Sequence, residues 1–148
     1  MIEIRKAISK DVPAIMRLVK ELAAFENAPE EVINTEERML FEGFSNNPSF
    51  GCYLAHENDK ILGMALYYYR YSTWKGKRLY LEDLIVTKEA RGNGIGKLLF
   101  DKIIEHAKES QCSGMMWQVL DWNETAINFY NKYETKYDKG WLNCHLNF

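Results

Sequence analysis

Hydrophobic and polar residues follow one another along the chain with two different periods. A period of two, or a short apolar run, predicts strands over residues 1–7, 50–56, 60–71, 79–86, 115–120 and 141–148. A helical period predicts helices over residues 35–44, 95–110 and 123–133, and another that begins at Asp11 as its cap. Strands that follow one another directly, then alternate with helices, predict an α/β fold whose mixed sheet is covered by helices.

Length and composition limit this fold to an ordinary globular domain. The chain has 148 residues, of which 47% are hydrophobic and 14% aromatic, and its mean hydropathy is −0.39. This length predicts a single domain over residues 1–148. No apolar run approaches the ~18–20 residues that cross a bilayer, and the first residues lack the apolar h-region expected of a signal peptide. We therefore expect a cytoplasmic protein without a membrane partner.

Charge and cysteine content exclude further classes. The net charge of −2 and pI of about 6.0 argue against a general nucleic-acid binder, which carries an excess of basic residues. The three cysteines are scattered and form no pair or cluster at zinc-ligand spacing. The sequence thus predicts no nucleic-acid partner, no metal and free thiols of the kind found in a reducing cytoplasm.

A glycine-rich loop after the predicted strand 79–86 is the most informative segment. It reads Arg91-Gly92-Asn93-Gly94-Ile95-Gly96-Lys97 and opens a helix. Free N–H groups at a helix N-terminus bind phosphate, and glycines allow the backbone to approach it closely. The loop fits neither the dinucleotide pattern, since Lys97 stands where the third glycine belongs, nor the Walker pattern. A structural turn is the competing interpretation.

Two adjacent carboxylates, Glu82 and Asp83, lie inside an apolar strand. Carboxylates there are costly unless they are exposed, paired or functional. One of them could bind an ammonium group and accept its proton, although neighbouring strand residues point to opposite faces. We expect Glu82 to act as base or to hold a water, and Asp83 to attract a cationic acceptor. A simple pair with a nearby lysine or arginine remains the alternative.

A tyrosine near the C-terminal end of the chain is the candidate general acid. Asn123 is a good helix cap, and Tyr130 lies on the same face of that helix as Asn123 and Ala126. A tyrosine could protonate a departing thiolate, whereas the competing interpretation is a packed aromatic residue.

These motifs, in this order, resemble the GCN5-related N-acetyltransferases. The segments Tyr-Leu-Glu-Asp-Leu at 80–84 and Ser-Thr-Trp at 72–74 further resemble the spermidine/spermine (diamine) and thialysine N-acetyltransferases of that superfamily. The resemblance implies an acyl-CoA N-acyltransferase fold of about seven strands and four helices. It also implies acetyl transfer from acetyl-coenzyme A to a primary amine by direct attack in a ternary complex, and a homodimer. Residues 131–139 depart from the family's pattern.

The resemblance assigns roles residue by residue. Around the acceptor it implies Phe25, Glu26, Trp74, Glu82, Asp83, Met116, Trp117 and Gln118. Around the coenzyme it implies Leu84, Ile85, Val86, Arg91, Gly92, Asn93, Gly94, Ile95, Gly96, Lys97, Asn123, Glu124, Thr125 and Ala126.

Charge is consistent with a small cationic acceptor such as a diamine, a polyamine or a lysine-like amine. Residues 26–42 hold six glutamates and one arginine, which would concentrate a polycation, although an exposed acidic helix has the same composition. Two other functions stay open. One is acetylation of a protein N-terminus or lysine, and the other is a non-catalytic module that binds coenzyme A or RNA through strand aromatics.

Overall fold

The computed structural model describes all 148 residues and contains five strands and four α-helices. Their bounds in chain order are β1 Glu3–Lys6, α1 Val12–Phe25, α2 Glu36–Phe44, β2 Gly51–Glu57, β3 Lys60–Ser72, β4 Gly76–Val86, α3 Ile95–Glu109, β5 Met115–Met116 and α4 Glu124–Tyr130. Three short 3-10 turns cover Ser9–Asp11, Pro29–Glu31 and Lys88–Ala90. The predicted order of elements is confirmed from β1 to α4.

The five strands form one mixed sheet in the order β1-β2-β3-β4-β5. The first three pairs are antiparallel, and β4 pairs with β5 in parallel. The mixed α/β class is therefore confirmed, whereas the expected number of about seven strands is wrong. Strand β5 covers only two residues of the predicted range 115–120, and residues 141–148 form no strand.

The missing strand shows the limit of the alternating pattern. Residues 141–148 alternate apolar and polar side chains, yet Trp141 is 78% exposed and Leu142 is 90% exposed. A strand needs a neighbour that accepts its backbone hydrogen bonds, and the pattern alone does not supply one. The prediction failed because no strand of the sheet pairs with this segment.

The start of α1 is fixed differently from the prediction. Asp11 stands at the cap position, but its carboxylate makes no capping hydrogen bond to the helix. It accepts two hydrogen bonds from the Arg5 guanidinium, at 2.7 and 2.9 Å, and one from the Ile8 N–H. The hydrogen bonds from Arg5 lower the pKa of Asp11. The aspartate thus ties the end of β1 to the start of α1.

Alternation along β2 divides the core between the two faces of the sheet. Leu54 is fully buried in a cluster with residues of α1 and α2. Its neighbour Tyr53 points to the opposite face of the sheet and contacts α3, where its hydroxyl lies 2.9 Å from His106 Nδ1. Tyr69 of β3 reaches the other ring nitrogen, Nε2, at 2.7 Å. Helices α1 and α2 therefore cover one face and α3 covers the other.

The chain divides into two compact units, Met1–Trp117 and Gln118–Phe148. The first contains the sheet and helices α1 to α3, and the second contains α4. None of the helices has the length and apolar character that crossing a membrane requires.

Candidate active site

A β-bulge places the two candidate carboxylates. Leu66 of β3 pairs with Asp83, whereas the next residue, Tyr67, pairs with Leu81. Glu82 is therefore the extra residue of β4, without a partner in the ladder. A bulge breaks the alternation of side chains and re-aims them locally. The expectation that Glu82 and Asp83 point to opposite faces assumed a regular strand, and the bulge falls at these two residues.

The environment of Asp83 favours its protonated form. Its side chain is partly buried, and this burial, together with the negative charges of Glu82 and Glu26, raises the pKa of Asp83 to about 7. Glu82 and Glu26 keep part of their surface in solvent, but the neighbouring protein removes enough water to raise the pKa of both carboxyls. The charges of Glu82 and Glu26 thus disfavour a negative charge on Asp83.

These carboxylates have no protein counter-charge. The salt bridges of the molecule involve other residues, and no lysine, arginine or histidine pairs with Glu26, Glu82 or Asp83. The alternative that the pair serves a structural ion pair is therefore wrong. A cation from solution would relieve the repulsion among the three.

Two tyrosines beside Glu82 were not singled out from the sequence. Tyr68 and Tyr80 are cross-strand partners, and their ring centroids lie 5.1 Å apart. Burial, and then the negative charge of Glu82, raises the pKa of both phenols. The phenols consequently stay protonated and present apolar rings and hydroxyl groups next to the carboxylate. Only the register between β3 and β4 would have identified them.

The glycine loop leads from β4 into α3. Gly92 and Gly94 have positive φ angles of 82° and 74°, and an added Cβ atom would meet nothing within 4 Å at either position. The backbone there is therefore open on its outer side. The first N–H groups of α3 have no acceptor within the helix. This open loop and its N–H groups suit the pyrophosphate of a coenzyme A thioester.

Side chains predicted to hold the coenzyme are largely engaged within the loop itself. Arg91 donates its Nε hydrogen to the Val86 carbonyl at 3.0 Å, and its guanidinium lies 5.5 Å from the centre of the Phe25 ring. Asn93 donates to the Ala90 carbonyl at 3.1 Å, and Lys97 pairs with Asp101. The backbone, rather than these side chains, is thus the available donor set.

Trp74 is not brought near the carboxylates within one chain. It lies in the turn between β3 and β4 and is 86% exposed. Seven positions of β4 separate Gly76, at the start of the strand, from Asp83, which is roughly 20 Å in an extended strand. The structure therefore does not unite Trp74 with Glu82 and Asp83 in a single subunit.

The remaining predicted acceptor residues lie at β5 and beyond. Met116 is partly exposed, and its sulfur lies 3.1 Å from the Arg70 guanidinium. The Trp117 ring packs edge-on against Phe100 of α3, with centroids 5.2 Å apart. Trp117 therefore has a packing role in this unit. Gln118 begins the second unit.

The second unit carries the candidate acid. Asn123 caps α4 as predicted, because its side-chain oxygen accepts a hydrogen bond from the Ala126 N–H at 3.2 Å. Glu124 and Thr125 are exposed in the first turn, whereas Tyr130 is buried at the last position of the helix. Tyr130 also packs against the Phe129 ring at 5.4 Å.

No group of three or more histidine, cysteine, aspartate or glutamate side chains is arranged to hold a metal ion.

Comparison with curated proteins identifies similar chains. The chain is 38% identical over 150 residues to the thialysine N-epsilon-acetyltransferase of Mus musculus, which covers 94% of this chain and 88% of that protein. It is also 38% identical over 149 residues to the spermidine/spermine N(1)-acetyltransferase-like protein 1 of Homo sapiens. That match covers 94% of this chain but only 21% of the human protein.

Solved structures show the same fold. An aminoglycoside acetyltransferase from an uncultured soil metagenomic sample superimposes with a TM-score of 0.80, at 19% identity, over 99% of this chain and 96% of that one. In sequence, residues 15–134 match the Acetyltransferase (GNAT) family. The match covers the sheet strands that hold the carboxylates, the glycine loop and α4. The chain therefore belongs to the Acetyltransferase (GNAT) family.

Proposed function

We propose that this enzyme transfers an acetyl group from acetyl-coenzyme A to a primary amine of a diamine, a polyamine or a lysine-like small molecule. The observation that carries the proposal is the position of Asp83. It lacks a protein counter-charge, has a pKa raised to about 7, and lies in the strand that leads into the glycine loop. Relatives named for thialysine and for spermidine/spermine support an amine acceptor.

The coenzyme would be held by the backbone around the glycine loop. Gly92 and Gly94 leave their outer sides open, and the first N–H groups of α3 would donate to the pyrophosphate. The end of β4, from Leu84 to Val86, would bind the pantetheine arm. When bound, acetyl-coenzyme A supplies an activated acetyl group as a thioester. We propose that transfer takes place directly, in a ternary complex with the amine.

The carboxylates would select and prepare the acceptor. A primary amine has a pKa of about 10.4, so it is protonated at neutral pH and cannot act as a nucleophile. Ionised Asp83 and Glu26 would attract the ammonium group, and Glu82 would accept a proton from the nitrogen, directly or through a water. Tyr68, which is partly exposed, would offer its ring to the cation, whereas the Tyr80 ring is buried and already contacts the Arg70 guanidinium.

Tyr130 would return a proton at the end of the reaction. The departing sulfur leaves as a thiolate, and a tyrosine hydroxyl donates its proton to it more readily than water. The proposal rests on the resemblance of residues 123–130 to the family and on the confirmed cap of α4 by Asn123.

We further propose that residues 1–148 work as one acetyltransferase domain, since the family match over 15–134 runs through both compact units.

We also propose a cytoplasmic location, because all three cysteines are free thiols, which reducing compartments maintain. Finding the protein in a membrane or secreted fraction of its cells would contradict this location.

A homodimer would explain the position of Trp74. The segment from Tyr67 to Leu81, which ends β3 and begins β4, contains four cations and no carboxylate. None of these cations, Arg70, Lys75, Lys77 and Arg78, forms a salt bridge within the chain. The segment 26–42 has the opposite character, with six glutamates and one arginine. Two copies could place the basic hairpin of each against the acidic segment of the other.

An amine panel tests the proposed reaction. The purified protein with acetyl-coenzyme A should acetylate at least one of spermidine, putrescine, lysine and thialysine, with release of free thiol as the measured signal.

Glu26→Lys should raise the KM for a polyamine by about tenfold or more, since it replaces an attractive charge by a repulsive one. Activity on peptide N-termini alone, insensitive to Glu26→Lys, would instead establish protein acetylation.

The titration of Asp83 predicts a pH dependence. The value of kcat/KM for a cationic amine should rise as pH increases through about 7, where Asp83 becomes ionised. Asp83→Asn should remove this rise and lower kcat/KM by about 10–100-fold. Asp59→Asn, in the exposed turn between β2 and β3, is the matched control.

The same shift has a consequence for stability. A pKa raised from 3.8 to about 7 on folding means that proton binding stabilises the fold. This contribution is complete below pH 3.8 and is lost as pH rises through about 7. Asp83→Asn should therefore unfold at higher temperature than wild type at pH 8 but not at pH 4, and equal shifts at both pH values would contradict the assignment.

Tyr130→Phe tests the acid. The substitution removes one hydroxyl and should lower kcat by about 10–100-fold, while the KM for acetyl-coenzyme A changes little. Tyr137→Phe is the control, because it removes a hydroxyl that donates to Asn131 in the same unit. An unchanged kcat in Tyr130→Phe would remove this residue from the mechanism.

Charge exchange tests the homodimer. Sedimentation velocity should show a dimer for the wild type, a weaker dimer for Lys75→Glu, and recovery in the double variant Lys75→Glu, Glu37→Lys. Lys108→Glu, on α3, should have no effect. A wild-type protein that sediments as a monomer at micromolar concentration would overturn the proposal.

A further inference from the structure

Helix α1 is hydrogen-bonded to the connection between β4 and the glycine loop through one side chain. One carboxylate oxygen of Glu21 accepts the Thr87 hydroxyl hydrogen at 2.9 Å. The other oxygen accepts the Lys88 backbone N–H, also at 2.9 Å. Both carboxylate oxygens of Glu21 are thus used on two consecutive residues of the connection. No role in the reaction described above is assigned to this glutamate.

The two residues that Glu21 contacts lie where the strand turns toward the loop. Thr87 is only 4% exposed, and its N–H donates to the Leu62 carbonyl at the start of β3. Its own carbonyl accepts the Ala90 N–H at 3.0 Å, which closes the 3-10 turn before Arg91. Fixing Thr87 and Lys88 therefore fixes the direction in which the chain enters the glycine loop.

A second contact joins the same helix to the same loop. Phe25 lies four residues after Glu21, hence on the same side of α1, and its ring lies 5.5 Å from the Arg91 guanidinium. Arg91 is also tied to the Val86 carbonyl. Helix α1 consequently contacts the connection at the start of its 3-10 turn and again directly after the turn.

Electrostatics alone would disfavour a glutamate in this position. A carboxylate close to a phosphate-binding loop repels a polyanionic ligand, so that its removal would strengthen binding. Hydrogen bonding acts in the opposite direction, because a loop held in its binding conformation loses less freedom when the ligand arrives. The effect of removing Glu21 on coenzyme affinity therefore has a different sign in the two cases.

We propose that Glu21 is a positioning residue for the coenzyme, acting through Thr87 and Lys88 to hold the glycine loop ready for pyrophosphate. The inference rests on the proposed use of acetyl-coenzyme A. It adds a residue outside the loop, on α1, whose side chain sets coenzyme affinity without touching the coenzyme.

Two substitutions at the same position separate hydrogen bonding from charge. Glu21→Ala removes both acceptors. Glu21→Gln removes the charge but keeps both contacts, because its amide oxygen can accept the Lys88 N–H and its amide nitrogen can donate to the Thr87 hydroxyl oxygen. Glu89→Ala is the matched control, since Glu89 also accepts from Thr87, at 3.2 Å, but is exposed on the loop.

Isothermal titration of each protein with coenzyme A measures the affinity directly. Glu21→Ala should raise the Kd about tenfold, equivalent to ~1.4 kcal/mol. Glu21→Gln and Glu89→Ala should bind within about twofold of wild type. In turnover, Glu21→Ala should raise the KM for acetyl-coenzyme A with the amine KM and the saturated kcat nearly unchanged. Amide hydrogen exchange at Lys88 should accelerate in Glu21→Ala alone.

Thr87→Val serves as a second variant if Glu21→Ala does not fold, since it keeps the buried shape and removes one of the two contacts. It should raise the Kd for coenzyme A by about threefold. Unchanged or tighter binding by Glu21→Ala, or equal weakening by Glu21→Ala and Glu21→Gln, would overturn the inference. A wild-type protein that does not bind coenzyme A would overturn the proposed function instead.

Discussion

The hydrogen-bonded ladder between β3 and β4 is the constraint on which the candidate site depends. It fixes one edge of β4 from Gly76 to Val86, whereas β5 pairs with the other edge only at Leu79 and Tyr80. A single irregularity in that ladder, the bulge at Glu82, lies where two carboxylates interrupt the apolar run from Leu79 to Val86. The same strand is followed, after the 3-10 turn Lys88–Ala90, by the glycine loop. The proposed acceptor carboxylates thus lie on β4, and the proposed phosphate donors follow it in the chain.

The acidic site is built at a cost in electrostatic free energy. Burial disfavours the ionised form of Asp83, and the negative charges of Glu82 and Glu26 add to this effect without a counter-charge from the protein. Native structures usually pair buried carboxylates with a cation, so carboxylates without such a partner are typical of a site that binds a cationic ligand. The amine would provide the missing positive charge. Substrate affinity would then come partly from repulsion that already exists in the free enzyme.

Local sequence patterns predicted most helices and strands, and the predictions failed where contacts between distant parts of the chain determine the structure. The glycine loop, the cap at Asn123 and the order from β1 to α4 follow from short-range chemistry that the sequence displays directly. Asp11 looked like a cap because nothing local reveals that Arg5 competes for its carboxylate. The segment 141–148 alternates as a strand does, but alternation cannot show whether a partner strand is present. The carboxylates at 82 and 83 can be recognised in the sequence. The bulge and the Tyr68–Tyr80 pair can be recognised only from the register between β3 and β4.

The contact between α3 and the sheet has one more property. His106 is hydrogen-bonded through both ring nitrogens to tyrosine hydroxyls, and Tyr69 also lies 3.1 Å from the Ser110 hydroxyl. Burial, reinforced by the charges of nearby lysines, lowers the pKa of His106, so the ring is neutral and one nitrogen carries the hydrogen. A hydroxyl can donate or accept, so either tautomer of the ring is compatible with a hydrogen bond to each tyrosine. The imidazole hydrogen can therefore move from one ring nitrogen to the other without displacing a heavy atom. The donor and acceptor roles of the two tyrosines would then exchange while the contact keeps its geometry.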